Sequence, residues 1–262
     1  MIDRRHILFL LCFILWTASP AVSQDADLTQ GVAAMTAHNL PLARHLLEAA
    51  VGRDSNSYEA NWRLASVLCD LGKQTPDQIK SPARDSLYAT AVRYARRAVA
   101  AKSDGADGHF VLGLAFGRTS QTLGARDRIK LATVIRNEEL EAIRINPSHD
   151  GAYHVLGRWN AEIMRLPGLQ KFFARTFLGA SVFNQASWDN AEHYMALSVQ
   201  HDPRRIIHRL DLARVLMDRS KWRAATAQVD TLLTLPTADP MDPSYQREAR
   251  ALLPRLSEKL AK

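Results

Sequence analysis

The chain predicts an all-α fold, a solenoid of about five helical hairpins with a C-terminal closing helix. Three observations carry that expectation. Small residues recur one helical turn apart in paired segments, as at Gly31/Ala34 and then Ala43/Leu47/Ala50. Helix-stopping prolines follow an Asn or Asp at Pro147 and Pro203, where the ring removes a backbone donor and clashes with the preceding turn. Aromatic residues make up only 7% of the chain against 47% hydrophobic overall, which suits packed helices better than a sandwich or barrel. The charged fraction of 23% is ordinary, so the composition excludes a dominantly disordered chain.

Each element follows from one packing rule. Small side chains let the two helices of a hairpin approach, a larger one plugs the gap to the next pair, and Pro ends the second helix. The first hairpin runs Asp27 to Gly52, with Pro41 just inside its return helix, where a missing N–H costs nothing. The second opens at Trp62 with Ala65, Ser66 and Cys69, and returns through Ala91, Ala95 and Ala98. A polar loop from Leu71 to Ser81 joins its helices, with Ser81-Pro82 as N-cap and first turn. His109, Leu112, Gly113 and Phe116 begin the third, which returns through Ile135, Glu139 and Ala142 to stop at Asn146-Pro147. The fourth takes Tyr153, Leu156 and Gly157, then Ala191, Met195 and Ser198 up to Pro203. A fifth uses Arg209, Leu212, Ala213 and Leu216, then Ala225, Val229 and Leu232. Ser244 to Leu260 closes the chain as an amphipathic helix with Ala249, Leu252, Leu253 and Leu256 on one side.

This spacing resembles the tetratricopeptide repeat, which implies a right-handed superhelix. Gly31 to Ala43 and Ala213 to Ala225 are both twelve apart, the uninterrupted period. Ser66 to Ala91, Gly113 to Ile135 and Gly157 to Ala191 are longer, so the three middle hairpins are expected to carry extended connections.

A second resemblance rests on blocks in the middle of the chain. They are T-L-G-A-R-D-R-I-K (Thr122 to Lys130), E-L-E-A-I-R-I-N-P (Glu139 to Pro147) and H-V-L-G-R-W (His154 to Trp159). L-P-G-L-Q-K-F-F-A-R-T-F-L-G (Leu166 to Gly179) and A-S-W-D-N-A (Ala186 to Ala191) follow. Together they resemble the regulator of microtubule dynamics family over roughly Ser57 to Ala225. That resemblance implies a helical-repeat protein without enzymatic activity, associated in the family with microtubules and, for some members, with membrane contact sites and lipid. The N-terminus departs from the animal members, so the fold and an apolar ligand are carried over and tubulin is not.

That N-terminus has the layout of a secretory signal. Arg4-Arg5 precedes a short apolar run from Ile7 to Trp16, and Ala21-Val22-Ser23 offers small residues for cleavage. The run is about half the length of a spanning helix. The expected organisation is a signal peptide over 1–23 and a repeat domain over 24–262, secreted or periplasmic. An uncleaved N-terminal membrane anchor is the alternative. Removal of 1–23 takes two arginines and one aspartate, leaving a mildly basic chain whose charge is spread over helix faces rather than gathered for nucleic acid. Cys69 alone would remain, at an apolar helix position, so packing is expected rather than a disulfide or chemistry.

Candidate binding residues fall in three groups. Leu169, Phe172, Phe173 and Phe177 form one helical stripe after Pro167-Gly168, flanked by Lys171 and Arg175. The stripe reads as a wall for a lipid-like ligand, as a membrane-touching helix, or as packing into the concave side, the last being the commoner fate of such spacing. Arg126, Arg128 and Lys130, near Arg118, make a basic cluster able to hold an anionic group by charge-assisted hydrogen bonds, or else a solvated helix face. Arg158 and Trp159 would line a groove; Trp62, Trp188 and Trp222 read as structural.

No zinc spacing, phosphate-cradling Gly loop or nucleophile elbow is present, so no metal, cofactor or catalytic residue is assigned. Glu138, Glu139 and Glu141 sit among Arg136 and Arg144, where helical ion pairs are expected. The function expected is an exported, non-catalytic scaffold holding a protein or peptide on its concave face. The alternative is a carrier or sensor of an apolar ligand such as a lipid, using Phe172, Phe173 and Phe177.

Overall fold

A computed structural model describes residues 20–76, 79–121, 123–168 and 181–261. Among them lie eleven α-helices and one 3-10 turn, with no strand. The hairpins are α1 (Pro20–Thr36) with α2 (Leu40–Arg53), α3 (Tyr58–Lys73) with α4 (Pro82–Ala101), and α5 (Ala106–Ser120) with α6 (Ala125–Ile145). They continue with α7 (Asp150–Arg165) and α8 (Trp188–His201), preceded by the 3-10 turn Ser181–Gln185, then α9 (Ile206–Asp218) and α10 (Trp222–Thr234). The closing helix is α11 (Asp242–Leu260). No helix of the described residues is long and apolar enough to cross a membrane.

The joints between hairpins are uniform. Asp54–Ser57, Lys102–Gly105, Asn146–His149 and Asp202–Arg205 each span four residues. In each, the first residue's N–H donates to the carbonyl four back, at 2.8 to 3.1 Å, and the last residue's N–H donates to the first's carbonyl. At three of them the first side chain also accepts from the backbone two residues on: Asp54 from Asn56, Asn146 from Ser148 and Asp202 from Arg204. Asn146-Pro147 is thus one instance of a repeated hydrogen-bonded turn.

Turns inside hairpins vary. The first and fifth hairpins have three-residue turns, each with one residue at positive φ, His38 at 55° and Ser220 at 57°. The second has a polar connection, and Ser81 caps α4 by accepting from the Arg84 N–H at 3.2 Å. The third corrects the expected long loop: only residues 121–124 separate α5 from α6, and the extra length is helix. The Arg126–Lys130 stretch is the start of α6, where Ile129 is buried and holds the added turns against the core.

Odd-numbered helices touch their odd-numbered neighbours along the whole array, from α1–α3 to α9–α11. The even row lacks comparable contacts, so the odd row is the inner, concave side. The apolar core has two parts. One runs from Ala34 to Ile135 with Trp159, Ile163 and Phe183, and the other from Ala161 through Met195, Leu210 and Val229 to Leu256. They divide along α7, which buries Trp159 and Ile163 on one side and Ala161 on the other. Cys69 is fully buried in the first part, and burial pushes its thiol up to about 12.

Glu139 overturns the ion-pair expectation. It is fully buried at the α6 position where the other hairpins place Leu47, Ala95, Met195 and Val229. Gly113 makes the room: a Cβ there would lie 2.4 Å from the Glu139 carboxyl. Among the described residues neither carboxyl oxygen has a hydrogen-bond partner, and burial, reinforced by the Glu138 charge, raises its pKa well above the usual carboxylate range. Of its neighbours, Glu141 does bind Arg144 at 2.6 Å, whereas Glu138 reaches across to His109 at 2.6 Å. The other His109 ring nitrogen meets the Ser103 carbonyl at 2.9 Å. An acceptor on each side favours the form in which both nitrogens donate, and the Glu138 hydrogen bond raises the His109 pKa above the ordinary histidine value.

Candidate interaction groove

The inner row carries two adjoining cavities. One, of about 420 Å³, lies at the ends of α5 and α7, between Arg118, Arg128, His154, Arg158 and the apolar Leu114, Val155, Ile163, Leu166 and Phe183. The second, of about 350 Å³, opens between α7, α9 and α11, with Arg165, Asp211, Arg214, Asp218, Leu252 and Arg255 on its walls. Arg158 and Glu162 belong to both, so the two form one groove along the inner row.

Helix α7 sets the geometry. Its N-cap is His149, whose Nδ1 accepts from the Ala152 N–H at 3.1 Å. Four-residue spacing then aims His154, Arg158 and Glu162 into the groove. Trp159, the next residue round, turns inward and donates from its indole N–H to the Ala132 carbonyl at 2.8 Å. His154 Nε2 lies 2.9 Å from Asp211 on α9 and its ring 4.7 Å from that of His208. Asp211 also accepts from Arg214 at 2.7 Å. Burial would raise Asp211, but the His154 hydrogen bond and the Arg158 and Arg214 charges outweigh it and hold the carboxyl ionised. Burial, with the neighbouring His154 and Arg205 charges, depresses His208 to about 2, so that ring is neutral.

Of the residues expected at a site, Arg158 and Trp159 line the first cavity, the latter through a largely buried ring. Arg126 and Lys130 are exposed on the first turns of α6 and do not line it; Lys130 pairs with Asp127 at 3.2 Å. Arg128 and Arg118, from the same basic cluster, do line it, and Arg128 also binds the Ser120 and Gln121 carbonyls at the end of α5. Lys171, Phe172, Phe173, Arg175 and Phe177 lie outside the described residues. Their chain neighbours Leu166 and Phe183 both face the first cavity. Sequence reading missed Arg255, Asp211 and Leu252 as groove residues. The one signal for Arg255 was its place three residues after Leu252 on the amphipathic closing helix.

No group of His, Cys, Asp and Glu able to hold a metal occurs among the described residues. Stacked hairpins, a continuous inner groove and a closing helix define a tetratricopeptide-type repeat protein. The solved structures it resembles agree: a thermophilic TPR protein of Thermus thermophilus superposes with a TM-score of 0.64 at 19% identity, covering 88% of this chain and 98% of that one. PilF of Pseudomonas aeruginosa superposes at 0.54 with 15% identity, over 92% and 89%. Within that class, the profile of the family "Regulator of microtubule dynamics protein 1-3" matches residues 25–257, and the chain belongs to that family. It is 22% identical over 208 residues to Regulator of microtubule dynamics protein 1 of Bos taurus, and equally so to that of Pongo abelii. These alignments cover 79% of this chain but only 64% and 65% of the two relatives.

Proposed function

We propose that the chain is a binding scaffold that receives a protein or peptide partner on the row of α5, α7, α9 and α11. The observation that carries this is the continuous groove through Arg158 and Glu162, whose walls mix half-buried apolar side chains with guanidinium groups. Helical-repeat arrays present extended concave surfaces of this kind for recognition. The Arg4-Arg5 start and the apolar run before Ala21-Val22-Ser23 support export as a secreted or periplasmic protein, which N-terminal sequencing of the exported form tests. Docking is tested by affinity capture from the native compartment with wild type and Val155→Asp. A partner retained equally by both, with the variant folded by circular dichroism, counts against the groove.

A second reading is a carrier of an apolar, acidic ligand such as a lipid. The apolar lining of the first cavity beside Arg118 favours it, as does the place where the Phe172, Phe173 and Phe177 segment leaves and rejoins the described chain. Mass spectrometry of an organic extract of the natively purified protein decides it, since a carrier yields a stoichiometric lipid.

A further inference from the structure

Every carboxylate on the groove walls is already committed. Glu162 and Asp218 both bind Arg165, at 3.1 and 2.7 Å. Asp211 binds Arg214 and His154, and Arg214 also reaches Glu248. Of the remaining groove arginines, Arg128 is held by the Ser120 and Gln121 carbonyls, two have no carboxylate among the described residues, and one is only loosely paired. Arg118 on α5 is half-buried and has no carboxylate partner among the described residues. Arg158 on α7 comes no closer than 3.9 Å to Asp211. Arg255 on α11 lies 6.0 Å over the Trp222 ring and likewise lacks a carboxylate among the described residues. The half-buried apolar Leu114, Val155 and Leu252 stand along the same walls.

We infer that the groove takes an acidic peptide segment in which carboxylates alternate with large apolar side chains, and that the closing helix is part of this site through Arg255. This rests on the concave face being the docking face. A linear chain is the occupant that meets three cations placed on three separate helices. A single headgroup would leave two arginines unmatched. Among the described residues, Trp159 and Phe183 offer a nucleic acid strand no stacking platform, because they are buried to 7% and 6% exposure and the Trp159 indole N–H is already used. The net positive charge of the chain adds long-range attraction for an acidic partner.

The test is selection of short random peptides by phage display on the full chain, with the recovered sequences assayed by fluorescence anisotropy at low and high salt. Peptides rich in Asp and Glu with Leu, Ile or Phe are expected. Their affinity should fall about tenfold with Arg118→Ala and with Arg255→Ala, and recover in part with Arg118→Lys. Arg93→Ala on the outer helix α4 should leave it unchanged. Neutral or basic peptides that Val155→Asp abolishes would overturn the acidic partner while leaving the docking face standing. Peptides indifferent to all groove variants and lost with Arg93→Ala would overturn the docking face itself. Recovery of no peptide overturns the inference, as does binding of phosphatidylglycerol vesicles or polyuridylate RNA in its place through Arg118 and Arg255.

Discussion

The seam between the first and second hairpins and the seam between the third and fourth are joined by the same four-residue turn, yet they are built from opposite chemistry. At the first, Leu47 and Val51 of α2 share an apolar cluster with Leu64 and Leu68 of α3, and the one buried amide there, Asn61, donates only to the Ser55 and Ser57 carbonyls of the joint itself. Around the third, an indole donates across to the Ala132 carbonyl, His149 faces Asp107 at 3.6 Å, and the unpartnered Glu139 carboxyl fills the hairpin behind. An apolar seam tolerates repacking, because dispersion and burial are non-directional. A seam made by hydrogen bonds fixes one orientation, since each group left unpaired costs its desolvation. The groove opens where the array is held by directional contacts, on the helix that separates the two cores.

The largest expected effect comes from breaking the directional seam. Trp159→Ala removes both the packing and the hydrogen bond to Ala132, and should cost about 3–5 kcal/mol in urea denaturation. A cost as small as that of an exposed substitution would show that α7 is not the keystone described.

Replacing Glu139 by the residue the fourth hairpin uses at that place sharpens the contrast. Glu139→Met should stabilise the chain at alkaline pH by on the order of 1–3 kcal/mol, since it swaps a buried unpaired carboxyl for an apolar group of similar size. The pH dependence gives a second readout. Because the folded carboxyl titrates above its unfolded value of 4.5, the folded chain keeps a proton that the unfolded chain releases. Stability therefore falls as pH rises from the unfolded value through the folded one, and this slope should vanish in Glu139→Met. An unchanged slope would place its origin elsewhere.

The adjacent pair gives a smaller effect. Its Glu138 hydrogen bond raises His109 above 6.5, so its stabilisation is complete below that value and lost as pH rises through the folded one. Glu138→Gln should reduce the gain in stability between alkaline and mildly acidic pH by less than about 1 kcal/mol, given the partial solvent screening. Nuclear magnetic resonance titration of His109 in both forms would reveal the shift directly.

Smallest are the turns of the two uninserted hairpins. His38→Gly and Ser220→Gly relieve a left-handed backbone and should each change the melting midpoint upward by the equivalent of about 0.5 kcal/mol. A loss of stability in either would mean that its side chain does more than tolerate the turn.

The solenoid was legible because its determinants are local and periodic. Gly31, Ala43, Gly157 and Ala225 mark close approaches, Ser81-Pro82 marks a helix start, and Asn146-Pro147 a stop. Glu139 carried two conflicting signals, since its register in the return helix matches Leu47, Met195 and Val229 while its charge pointed to ion pairs. With Arg136 and Arg144 three and five positions away, its local neighbours describe a solvated helix face. The room opposite Gly113, which no local pattern encodes, is what lets a carboxyl fill that apolar position. The groove was half legible for the same reason. Arg158 announces itself beside Trp159, but Arg255 joins it only because the closing helix packs back against α9, a contact no local pattern encodes.

The uniform joints have a mechanical consequence. Each of the four behaves as a crank of fixed throw, so one residue added there would break its hydrogen-bond pattern and re-aim every hairpin beyond it. The connections inside hairpins have no such leverage, because they return to the same partner helix. The length differences of this chain, the 74–81 loop, the added turns of α6 and the 166–187 connection, all fall inside hairpins. The array therefore has one plain edge, where the cranks sit, and one ornamented edge, where the mouth of the first cavity lies. New loops grafted at the ornamented edge would reshape the groove mouth without disturbing the alignment of the array.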